Sequence, residues 1–140
     1  MLDIEYLNLP SIPENLIESI DSIISKTSYA FHSKNYILHN TSNELNDYLK
    51  TIFNFKFVSH YQIIKSEIPI HIDINDRTTA YNYLLAAGGN NVVTTIYDSN
   101  HCIIQSEQIQ IRKWHQLNTG KLHGVHGITG LRVGLTITPK

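Results

Sequence analysis

The chain has 140 residues and a mass of 16.0 kDa, which suits one domain with a single core and is too short for two independent ones. Eleven basic against twelve acidic residues leave a formal net charge of -1, so no overall field favours nucleic acid or an anionic membrane, and no local basic patch stands in for one. A lone cysteine, Cys102, excludes an internal disulfide and a cysteine-rich zinc site, and suits a reducing compartment.

The start, "MLDIEYLNLP", lacks a basic segment followed by an apolar one, and no apolar run approaches membrane-spanning length; both point to the cytoplasm. Helical periodicity is confined to the first half. In "SIPENLIESIDSIIS", Leu16, Ile17, Ile20, Ile23 and Ile24 share one helical face, Ser11 and Glu14 have capping-box spacing, and Pro13 lies in the first turn. "TSYAFHSKNYILHN" follows with little pattern and reads as part of a lid. A second helix is expected in "TSNELNDYLKTIF", with Thr41 and Glu44 at capping spacing and a stripe of Leu45, Tyr48, Leu49, Ile52 and Phe53. Both stripes need a partner surface.

From Phe55 onward the chain breaks into short β-rich runs: "FVSHYQII", "IPIHID", "AYNYLLA", "VVTTIYD", "HCIIQSEQI", "RKWHQLN", "LHGVHGI" and "LRVGLTIT". The turn signals "NDR", "AGGNN", "DSN", "NTGK" and "TG" punctuate them at the spacing of a sandwich or barrel. Eight strands after two helices predict a mainly β fold, a jelly roll or double-stranded β-helix of the cupin-like kind. Residues 1–54 would form a helical support and residues 55–140 the β core of one domain.

Within "IPIHIDINDR", His71 and Asp73 stand two apart on a strand, so their side chains point the same way, roughly 6–7 Å apart along the backbone. Such a pair is common by chance; what adds weight is the last part of the chain, where "LHGVH" offers two further histidines and Arg132 lies in an otherwise uncharged strand. Two histidines and one carboxylate can bind a metal on one face and leave other positions open, which closed structural sites do not. Barrel closure brings distant strands together to build such a set. His123 and His126 differ by an odd number of positions and face opposite sides of a regular strand. An arginine between Leu131 and Val133 needs an anionic partner, and a guanidinium forks onto a carboxylate.

The order His71-x-Asp73, then "AYNYLLAAGGNN", then "LHGV" with His123, then "GLRVGLTI" with Arg132 resembles the 2-oxoglutarate- and Fe(II)-dependent dioxygenases, loosely their prolyl hydroxylase branch. The resemblance covers roughly residues 57–137. It implies Fe(II) held by His71, Asp73 and His123, 2-oxoglutarate on the iron with its far carboxylate on Arg132, and O2 as the oxidant. The product side would be succinate, CO2 and a hydroxylated protein side chain or small molecule. The family often has serine where Gly134 stands, which leaves the second anchor of 2-oxoglutarate to Thr136, on the face of Arg132, or to Tyr61 from an earlier strand. Asn82 corresponds to a position that some relatives use near the metal-bound end. Two other readings stay open: a non-enzymatic jelly-roll module, and a cupin-like metal enzyme that does not use 2-oxoglutarate. His60, His101 and His115 read as surface or structural residues, His126 as a neighbour of the site or a surface group, Arg77 as a salt-bridge partner of Asp76 or Asp98, and Trp114, Tyr81, Tyr83 and Tyr97 as packing aromatics.

Overall fold

A computed structural model describes residues 2–27, 35–73 and 78–140. Among them, two antiparallel sheets face each other. The larger runs in the order β1 (Ile4–Tyr6), β8 (Trp114–Leu117), β5 (Ala80–Ala86), β10 (Arg132–Pro139), β3 (Phe57–Ile64) and β2 (Tyr36–Asn40). The smaller contains β4 (Ile68–His71), β9 (Leu122–His126), β6 (Val93–Tyr97) and β7 (Ile103–Glu107). From β3 to β10 the chain crosses between the sheets at every step except the β6–β7 hairpin, the winding of a double-stranded β-helix, and all eight expected strands are present. No helix among the described residues is long and apolar enough to cross a membrane.

The outer face of the larger sheet carries the main core. Tyr61 and Ile63 of β3, Tyr83 and Leu85 of β5, and Val133, Leu135 and Ile137 of β10 alternate onto that face and pack with Leu45, Leu49 and Phe53. The last three are supplied by helix α2 (Asn43–Ile52) and the residue after it. Ile23 of helix α1 (Ile20–Thr27) is fully buried in the same cluster. The space between the sheets is smaller, with an apolar cluster of Ile4, Leu84, Ile96 and Ile109 at one end. Polar side chains are concentrated in that inner space.

Several expectations need correcting. The first helix is not continuous: a 3-10 turn spans Glu14–Leu16, Ile17 is extended, and α1 begins only at Ile20. The Glu18 amide donates to the Tyr61 hydroxyl at 2.9 Å, which holds the chain out of helix, and Ser19, not Ser11, takes the cap by accepting from the Ser22 amide at 3.2 Å. For α2 the cap is Ser42, whose hydroxyl accepts from the Leu45 amide at 3.1 Å. Thr41 instead hydrogen-bonds Asn46 and Ser59 across to β3. The first 54 residues are not only helical, because β1 and β2 extend the larger sheet at its two edges. The segment read as a lid ends in β2; its residues 28–34, like Asp76 and Arg77, lie outside the described residues.

Candidate metal centre

β4 and β9 pair antiparallel, with His71 directly opposite His123. Between Ile68 and His71 the register shifts, so that β4 spends one residue more than β9 over this interval. That bulge re-aims His71, and Pro69, which has no amide hydrogen to contribute to a ladder, falls inside it. Gly124 permits the close approach of β4: a Cβ there would lie 2.9 Å from the Ile68 carbonyl oxygen. Asp73, just past β4, is pinned by its backbone amide, which donates to the Thr119 carbonyl at 3.1 Å.

The result is convergence. Potential ligand atoms of His71, Asp73 and His123 all lie within 4.8 Å of one another. The Asp73 Oδ1 is 3.3 Å from His71 Nε2 and 3.4 Å from His123 Nε2. Both rings are oriented alike: His71 Nδ1 donates to the Pro69 carbonyl and His123 Nδ1 to the Lys121 carbonyl, each at 2.7 Å. A carbonyl can only accept, so each Nδ1 carries its proton, and in the neutral ring Nε2 is left with a lone pair. Two nitrogen lone pairs then face a carboxylate oxygen. Three acceptors at these distances repel unless a proton or a metal cation sits between them, and ligand atoms bound to one transition-metal ion at ordinary bond lengths lie about 3–3.5 Å apart. The donor set therefore fits a metal, and the carbonyl bonds to Nδ1 are the outer-shell pattern that holds ligating histidines in place. The site spans from inside to outside: the side chain of His123 is 6% exposed, that of Asp73 29% and that of His71 41%.

Deeper between the sheets, a cavity of about 90 Å3 is lined by Arg132, Gly134 and Thr136 of β10, Asn82 of β5, His115 of β8 and Thr94 of β6, among others. Val125 also lines it and lies two residues along β9 from His123, so the metal set and the cavity open on the same inner face. Arg132 is 6% exposed. It donates to the Ala87 carbonyl at 3.2 Å and the Thr94 hydroxyl at 3.4 Å, and among the described residues no carboxylate pairs with it. Burial pushes its guanidinium down to about 10, which still leaves it charged at neutral pH. A buried cation without a counter-ion is costly, and an incoming anion relieves that cost.

Thr136 donates its hydroxyl to Asn82 Oδ1 at 2.9 Å, so these two neighbours of Arg132 orient each other. At Gly134 an added Cβ would meet nothing closer than 3.5 Å; glycine here leaves cavity space open rather than avoiding a clash. Tyr61 does not join this group. It lies on the outer face of β3, buried against the helices, with its hydroxyl accepting from the Glu18 amide. His126 faces away from the other two histidines and meets the Tyr97 hydroxyl at 2.7 Å. His101 sits in the exposed turn after β6 with φ 63°, Trp114 is core, and Arg77 lies outside the described residues. His60 lies opposite Thr136 on the neighbouring strand.

Of the surface or structural role expected of it, His115 does not have the first. It is 5% exposed and lines the cavity, and burial followed by the charge of Arg132 lowers its imidazole to about 4. Its inward orientation follows from pairing opposite Asn82, a relationship between strands some thirty residues apart that the local sequence does not display.

No protein-family model and no curated protein sequence matches this chain. Among solved structures, the fold resembles one from work on the Mn(II) centres of Bacillus subtilis oxalate decarboxylase, at TM-score 0.51 and 14% identity over 79% of this chain. This chain spans only 27% of that one. AviO1 from Streptomyces viridochromogenes Tue57 aligns at TM-score 0.51 and 11% identity over 86% of this chain and 80% of that one. An RmlC-like cupin from Desulfovibrio desulfuricans aligns at TM-score 0.42 and 16% identity over 78% and 87% of the two chains. Identities this low speak to the fold alone, and only the two matches at TM-score 0.51 bear on it; the double-stranded β-helix itself is read from the two facing sheets.

Proposed function

We propose that this cupin-like barrel is a mononuclear-metal enzyme that handles a small organic acid, with Fe(II)- and 2-oxoglutarate-dependent oxygenation as its specific reaction. The observation that carries the reading is the convergence of His71 Nε2, His123 Nε2 and one Asp73 oxygen, with each imidazole fixed from behind by a backbone carbonyl. Two histidines and one carboxylate occupy one side of an octahedral ion, and a ferrous ion held there would supply open positions for a chelating co-substrate and for O2.

The residues of the chain have separable tasks. His71, Asp73 and His123 would hold the ion, with His123 on the buried side of the set and His71 on the half-exposed side. Arg132 takes the far carboxylate of the co-substrate, and its burial strengthens that bond by excluding water. Asn82 and Thr136 form the polar wall beside it. A cavity of about 90 Å3, well below the roughly 300–1,000 Å3 of ordinary ligand pockets, accommodates a carboxylate and its adjoining carbon while the remainder of the acid extends outside it.

A second reading has its own support: direct metal-dependent chemistry on a small carboxylic acid without 2-oxoglutarate. The small cavity favours it, and oxalate decarboxylase, with Mn(II) centres, shares the fold. A non-enzymatic jelly roll has no use for a buried guanidinium and three converging ligands in place of an apolar interior.

The test is an anaerobic titration of metal-free protein with Fe(II), then with 2-oxoglutarate, followed by absorption spectroscopy. Stoichiometric metal binding and a weak visible charge-transfer band on adding 2-oxoglutarate are expected. Metal binding without the band, together with turnover of a small acid such as oxalate, selects the second reading. Failure of the folded protein to bind one divalent ion per chain overturns both.

A further inference from the structure

Among the described residues, one buried side-chain polar atom lacks a hydrogen-bond partner: Nδ1 of His115. The ring is 5% exposed, and the Lys113 backbone, which favours its protonated form, gives Nδ1 no well-formed hydrogen bond. It lines the same cavity as Arg132, the buried cation with no paired carboxylate among the described residues. Two costly features thus share one small space, and each is remedied by the same kind of guest. We propose that His115 is a ligand-contacting residue that, with Arg132, recognises one carboxylate group of a small organic acid and so determines which acids the protein accepts.

The chemistry of the pair narrows the guest. Arg132 contributes one positive charge and a planar fork. His115, kept neutral at physiological pH by burial and by that same charge, contributes hydrogen bonding without a second charge. A pocket with a net charge of one suits a singly charged carboxylate over a doubly charged phosphate or sulfate. The cavity, at about 90 Å3 against the roughly 300–1,000 Å3 of ordinary ligand pockets, admits an unbranched carboxylate end and rejects a bulky one. Gly134 keeps that space clear, and Asn82 and Thr136 supply the polar side. An apolar ring at position 115 would fill the same space with no unpaired atom, so a histidine there sacrifices stability, the usual mark of a binding role.

This inference deepens the proposed acid-handling reading, yet it is tested apart from the metal by succinate, which carries carboxylates but no 2-oxo group with which to chelate. Metal-free protein, with His115→Phe and His115→Gln, is titrated calorimetrically with succinate and with inorganic phosphate, and Tm and Mn(II) binding are recorded for each form. Succinate is expected to bind wild type in preference to phosphate, about tenfold or more weaker in His115→Phe, with partial recovery in His115→Gln. Mn(II) binding is expected to be unchanged, and the Tm of ligand-free His115→Phe to equal or exceed that of wild type. A structural role for His115 predicts the reverse, a lowered Tm with succinate affinity retained in the folded protein. Unchanged succinate affinity in either folded variant, equal binding of phosphate, or no binding of succinate to wild type overturns the inference. Succinate binding that depends on His115 in a protein that holds no metal upholds it while the metal-enzyme reading falls.

Discussion

His71 and His123 face each other across the β4–β9 register with ring centroids 4.2 Å apart, and each ring is tied through Nδ1 to the carbonyl two residues earlier in the chain. Neither strand could present this arrangement alone. The hydrogen bonds fix the tautomer, the register fixes the separation, and Asp73 adds the oxygen that turns a histidine pair into a candidate ligand set.

Removal of that oxygen separates metal affinity from folding. Asp73 lies beyond the end of β4 with 29% of its side chain exposed, and it is anchored through its main chain, which Asp73→Ala retains. The variant is expected to keep its unfolding free energy in urea within about 0.5 kcal/mol and to lose more than the roughly 10–100-fold in metal affinity typical of outer-shell changes. Calorimetric titration with Mn(II) measures the loss; wild-type affinity in the variant removes Asp73 from the centre.

Arg132→Met replaces a buried unpaired cation by an apolar side chain of similar length. Stability should be equal or higher, since no counter-ion among the described residues is orphaned, while affinity for 2-oxoglutarate should fall about 100-fold or more through loss of the charged fork. Arg132→Lys restores the charge but not the fork and is expected to recover only part. Co-substrate affinity unaffected by both substitutions would place the acid elsewhere.

Gly88 has φ 83°, and a Cβ there would lie 2.9 Å from the Arg132 amide nitrogen. Both the left-handed backbone and the contact with a neighbouring main chain oppose a side chain, so Gly88→Ala is expected to cost about 1–3 kcal/mol in urea unfolding. Because the strain falls at the root of Arg132, acid affinity should decline with stability, while metal binding at the far end of β9 persists. Parallel loss of metal and acid binding would instead indicate general unfolding.

His115 gives the protein a particular sensitivity to acid. Its imidazole titrates at about 4 when folded, against 6.5 when unfolded, because burial and then the charge of Arg132 disfavour the proton; the Lys113 backbone pulls weakly the other way, and Tyr6 packs edge-on against the ring. Between these values the unfolded chain binds a proton that the folded one refuses. Stability is therefore intact above about pH 6.5 and declines as pH falls towards 4, by about 3 kcal/mol from this group. Urea unfolding at pH 7, 5.5 and 4.5 should show a shallower decline for His115→Phe than for wild type; parallel declines would remove His115 as the cause.

Much was legible locally. The apolar stripe of α2 predicted burial of Leu45, Leu49 and Phe53, and turn residues separated all eight core strands. Two-residue alternation put His71 and Asp73 on one side and separated His123 from His126, because a strand repeats every two residues whatever surrounds it. Such rules need only neighbouring positions.

Other assignments required knowing which face of a sheet is inside. Tyr61 and Gln62 are adjacent, yet only Gln62 lines the cavity; the helices claim the opposite face of β3. The bulge before His71, the edge strands β1 and β2, and the meeting of His115 with Arg132 across β5 all depend on pairing between distant segments. The chain alone determined which side chains could bind a metal or an acid, since that follows from residue type and local period. Tertiary structure decided which of them share an interior, because register and closure are properties of strands taken together.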